Sequence, residues 1–128
     1  MFFYKKLIIV LSLTGVIFLL MHEFDAFRKR EWRMFGLMGR LTDEMQSVIF
    51  LSAHIPLLLF IFYYLFTVMF FRSIAIWIVV NSFLILHFAI HLIATGWKSN
   101  VFNSIYSFFF IGGGALAGLV NLCLVSYY

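Results

Sequence analysis

Four apolar stretches, each long enough to cross a bilayer as a helix, take up most of this 128-residue chain. They run over residues 3–27, 45–71, 73–95 and 101–126. A crossing helix needs about 20 residues. In hydrocarbon no water is present to satisfy backbone N–H and C=O groups, so each stretch must close its own hydrogen bonds as a helix. The many Ile, Val and Phe residues therefore carry no weight in favour of strands. With 65% hydrophobic and only 11% charged residues, the composition excludes an ordinary soluble domain, in which roughly a quarter of residues are charged. The expected fold is all-α: an integral membrane four-helix bundle, one domain over residues 1–128.

The first stretch begins like a signal peptide, with Lys5 and Lys6 ahead of an apolar run, but no small-residue cleavage site follows. It reads as a retained span. Its uninterrupted apolar run, residues 7–21, is short for a crossing. Either the helix continues through His22, Phe24, Ala26 and Phe27, drawing His22, Glu23 and Asp25 into the membrane, or those polar residues sit at the headgroups. Residues 28–44 form the longest connection, an interfacial segment mixing basic residues with Trp32, Met34 and Phe35. Asp43 with Gln46 fits a capping box opening helix two. This loop holds five of the nine basic residues, which places it in the cytoplasm by the positive-inside rule, whereas Lys5 and Lys6 argue the other way. The expected location is integral to a membrane.

Ionisable groups within a bilayer are costly, so they usually serve a function. Four histidines, His22, His54, His87 and His91, fall in the half of the membrane next to the 28–44 loop, here called side A. His54 lies about 13 Å inside the side-A start of helix two, and His87 about 12 Å and His91 about 6 Å from the side-A end of helix three. His87 and His91 are four residues apart and project from one helix face. Pro56 follows His54 closely and removes a backbone donor, so a kink there would open space.

Neutral imidazoles with a carboxylate suit zinc or non-haem iron; copper and haem fit less well. The metal reading takes His22, His54, His87 and His91 as ligands, with Glu23, Asp25 and Glu31 as acid–base groups or as anchors for a ligand histidine. Against it stands the plainer reading that each histidine bonds a backbone carbonyl or a neighbouring polar side chain and helps hold the bundle together. Function expected from the pocket is a metal-dependent enzyme acting on a lipid-soluble substrate. The alternatives are a non-enzymatic assembly subunit, a metal-free acid–base lipid isomerase and a proton-coupled transporter. Ser107, Gly114, Gly118 and Asn121 line one face of helix four. The Gly114/Gly118 pair is either an internal packing seam or a surface for a second copy or another membrane protein. The bilayer is a partner in any case. Nucleic acid is not expected, because the basic loop also carries acids and has no soluble platform. Cys123 is the single cysteine, so neither an internal disulfide nor a thiolate cluster can form.

The run His22-Glu23-Phe24-Asp25-Ala26, followed by Glu31-Trp32-Arg33, resembles small bacterial membrane proteins of the HXXEE type. In these a His-Glu pair closes the first span and a Glu-Trp pair follows. The consecutive glutamates of that signature are absent here. The resemblance implies a bacterial multi-span membrane protein, implies no activity, and favours His22, Glu23, Asp25, Glu31 and Trp32 as pocket residues.

Overall fold

The computed structural model describes residues 2–34, 40–96 and 104–128. It contains four helices: α1 (Phe2–Arg28), α2 (Asp43–Met69), α3 (Ile74–Ala94) and α4 (Ile105–Cys123). All four are long and apolar enough to cross a membrane, and no strand occurs among the described residues. A short 3-10 turn, Glu31–Met34, follows α1, and another, Val125–Tyr127, follows α4. The chain is an integral membrane helical bundle. Parts of two expected features, the apolar centre of the 28–44 segment and the 96–100 connection, lie outside the described residues.

α1 runs unbroken through His22 to Arg28, so His22, Glu23 and Asp25 are helical residues of the first span. The start of α2 differs from the expected capping box. Thr42, not Asp43, is the cap, its hydroxyl accepting from the Met45 N–H at 3.3 Å. Gln46 donates to the Leu41 carbonyl at 2.9 Å. Asp43 instead faces the 3-10 turn, a use the local pattern could not show. α2 continues through Pro56. The sharp link to α3 uses Phe71 at a left-handed φ of 50°, and Ser73 caps α3 by accepting from the Ile76 N–H at 3.3 Å.

The closest pairings are α1 with α4 and α4 with α3; α2 touches α1 and α3 more sparsely. Small residues on α4 explain this order. A Cβ on Gly118 would stand 2.7 Å from the Asn81 backbone oxygen, and one on Gly114 would stand 3.7 Å from the Gly15 oxygen. Gly114 and Gly118 are both buried against neighbouring helices of the same chain. The expected partner surface at Gly114/Gly118 is therefore corrected: that face is spent on internal packing and is not on the outside of the bundle.

Candidate metal centre

His22, from α1, is buried at 1% exposure and meets two histidines of α3. Its ring centroid lies 5.0 Å from that of His87 and 4.7 Å from that of His91. The rings of His87 and His91 lie 4.4 Å apart, tilted by 47°, on one helix face as their spacing of about one helical turn dictates. One ring nitrogen from each of the three lies within 4.8 Å of the others. Nitrogens bound tetrahedrally to one zinc ion sit about 3.4 Å apart, so modest side-chain rotation closes the group around an ion. His91 Nδ1–H donates to the His87 carbonyl at 3.0 Å. This fixes the ring and puts the lone pair of the neutral form on Nε2, the usual arrangement of a metal-binding histidine. His87 Nε2 is buried and has no hydrogen-bond partner among the described residues.

Glu31 borders this group. It is 6% exposed, and its Oε2 lies 3.8 Å from His91 Nε2. Its other oxygen, Oε1, is buried with no hydrogen-bond partner among the described residues. A buried carboxylate is costly unless a cation or donors compensate it. The turn that holds Glu31 there is itself well anchored. Arg30 adopts a left-handed φ of 56°, reversing the chain after α1. Arg33 then grips Asp43 with two hydrogen bonds of 2.8 Å, and Trp32 Nε1 donates to the same carboxylate at 3.1 Å. Trp32 packs between Phe27 of α1 and Phe50 of α2, at 5.4 Å and 5.6 Å.

His54 stands apart from the three. Its Nε2 meets Glu23 Oε2 at 2.7 Å, and its Nδ1 meets the Phe50 carbonyl at 2.6 Å. A carbonyl can only accept, so Nδ1 carries a hydrogen. The short Nε2–Oε2 contact needs a further hydrogen, on the ring or on the carboxyl. The pair therefore holds two protons and is neutral overall. It lies in the wall of a cleft of about 330 Å³ between α1 and α2.

Asp25 faces elsewhere again. It accepts from Ser107 Oγ of α4 at 2.5 Å and pairs with Arg28. Successive helix residues are rotated by about 100°, which explains why neighbours in sequence serve different partners: His22 turns to α3, Glu23 to α2 and Asp25 to α4. Of the residues singled out from sequence, His22, His87, His91 and Glu31 thus come together, Glu23 and His54 form an adjacent pair, and Asp25 ties α1 to α4. Sequence reasoning missed a second polar cluster. Asn121 donates to Ser12 at 3.1 Å and to Asn81 at 2.9 Å, and Asn81 donates to the Tyr64 hydroxyl at 3.3 Å. The available signal was Asn121 on the small-residue stripe of α4.

A model of a family of unknown function, DUF6713, matches residues 8–128. No curated protein and no solved structure matches the chain.

Proposed function

For this chain, which belongs to that family of unknown function, we propose a metal-dependent membrane enzyme centred on His22, His87 and His91. One observation carries the reading: three imidazoles from two helices present ring nitrogens within 4.8 Å of one another inside an apolar bundle. Zinc and non-haem iron are the ions that best suit such neutral nitrogen donors. A bound ion would supply Lewis acidity, polarising a carbonyl or phosphoryl oxygen. The chain's own groups then have separate tasks. His91 is oriented by its bond to the His87 carbonyl. Glu31, 3.8 Å from His91, would hold the ion as a further carboxylate donor or take a proton beside it. Glu23 and His54 act beside it as an acid–base pair. The proposed substrate is lipid-soluble, because the helices that carry the site are ones that cross the bilayer. The membrane proposed is the bacterial cytoplasmic membrane, supported only by the pattern His22-Glu23…Glu31-Trp32.

Elemental analysis of detergent-purified protein, made without a histidine tag or chelator, tests the reading. Near-stoichiometric zinc or iron, lost in His22→Ala and His87→Ala while the helix content holds, is the expected result. Metal-free protein with both variants folded would overturn it. A second reading, metal-free acid–base chemistry at Glu23 and His54, is supported by their 2.7 Å contact and would survive that result.

A further inference from the structure

The ionisable side chains are unevenly divided between the two ends of the bundle. All five acidic residues lie between positions 23 and 44, at side A. The opposite end, where α1 and α3 begin and α2 and α4 finish, carries Lys5, Lys6 and Arg72 and no acidic side chain. The partners of these cations are aromatic rings. Lys5 Nζ lies 4.8 Å from the centre of the Phe71 ring, and Lys6 Nζ lies 4.4 Å from that of Phe2. The Arg72 guanidinium lies 5.2 Å from the Phe66 ring and 5.6 Å from the Phe70 ring. A ring attracts a cation through its quadrupole but has no net charge to cancel it. Among the described residues Lys5, Lys6 and Arg72 pair with no carboxylate, whereas at side A Arg28 pairs with Asp25, and Arg30 and Arg33 pair with Asp43.

Segments far apart in sequence build this end into one surface. Tyr4 of α1 stacks on Tyr127 at 4.0 Å. Tyr128 meets Phe71 at 5.1 Å, and its hydroxyl donates to the Ser73 carbonyl at 3.2 Å. Phe71, in its left-handed turn, has Lys5 against its ring and Arg72 as its chain neighbour. Phe66 and Phe70 are exposed on α2, so Arg72 lies over a lipid-facing surface at the end of a crossing helix. Basic and aromatic side chains so placed sit at headgroup depth. A phosphate there meets a guanidinium, whose fork of donors matches its oxygens. A zwitterionic headgroup also brings a cation, and this end offers no acidic side chain to receive it. An anionic headgroup keeps the attraction without that repulsion.

We propose that this end of the bundle is a binding surface for anionic phospholipid headgroups, with Arg72 taking the phosphate and Lys5 and Lys6 supplying further positive charge. The surface is separate from the histidine group at side A and stands whether or not a metal binds there.

Electron spin resonance of the full chain in phosphatidylcholine vesicles tests this, with spin-labelled phosphatidylglycerol and spin-labelled phosphatidylcholine as the probes. The fraction of each probe immobilised against the protein gives its relative affinity. Phosphatidylglycerol should be preferred, and added salt should weaken the preference, because exposed charges are screened. Lys5→Gln and Arg72→Gln should each lower the preference by up to about fivefold, the value of one basic residue near an anionic membrane surface. Lys5→Arg, which keeps the charge, should retain it. Lys29→Gln removes the same charge from side A and should change the preference far less. Circular dichroism of the same samples should show unchanged helix content; Lys6→Gln, at a more exposed position, repeats the test if Lys5→Gln disturbs it. Equal immobilisation of the two probes by the unaltered chain would overturn the proposal. So would equal losses in the Lys5, Arg72 and Lys29 variants, which would show a response to total charge and not to this surface.

Discussion

Glu31 sits at 6% exposure with one oxygen lacking a hydrogen-bond partner among the described residues and the other 3.8 Å from a histidine. A cation held at the proposed His22–His87–His91 centre would compensate a carboxylate so placed. Glu31→Gln keeps the shape and removes the charge, so it should lower metal affinity about 10- to 100-fold without unfolding the protein. Titration against a competing chelator measures this, and unchanged affinity would make Glu31 a bystander. Imidazoles must be neutral to bind a metal, since protons compete for the same lone pairs. Metal retention should therefore fall on acidification, and dialysis at stepped pH followed by elemental analysis reads it. At this scale much of the site could be read from residue type and helical depth, because rise per residue fixes depth. The partition of Glu23, Asp25 and His22 among three neighbours could not, because helix rotation about its axis is set by packing.

The helices differ in how closely they pack, and glycine placement decides it. A methyl group on Gly118 would stand 2.7 Å from a backbone oxygen of α3, and a backbone cannot step aside as a side chain can. Gly118→Ala should cost about 1–3 kcal/mol through overpacking. On the same helix, a methyl on Gly112 would meet only the Phe88 ring, at an ordinary 3.8 Å. Gly112→Ala should instead be neutral or stabilising by up to about 1 kcal/mol, the helix-propensity gain. Unfolding of both variants by sodium dodecyl sulfate titration separates the two; equal effects would dismiss the close-approach account. The four spans were legible because apolar length in a bilayer admits one solution. The helix-two cap was not: Asp43 and Thr42 are both good caps locally, and the choice went to Thr42 because Arg33 and Trp32 claim Asp43 from a distant turn.

Across the whole bundle, Ser12, Tyr64, Asn81 and Asn121 join all four helices through buried hydrogen bonds. Ser12 is ten residues from His22 on α1, about 15 Å further toward the other face. The molecule thus has two polar levels, a structural one toward the face opposite side A and the histidine-centred one toward side A. Asn121→Leu removes two interhelical bonds, worth about 0.6 kcal/mol each on average. It should lower stability by about 1 kcal/mol in the same titration and leave metal content intact; loss of metal would show the two levels to be coupled. By itself the amino-acid order determined that this chain is a membrane helical bundle with its histidines at a common depth, since hydrophobic length and helical rise are one-dimensional properties. Which histidines share a centre, that Glu31 joins them, that His54 goes to Glu23 and that the glycine seam faces inward were decided by tertiary packing. Those outcomes depend on the rotation of each helix about its axis, and that rotation is chosen only when small residues and buried polar groups of different helices find one another.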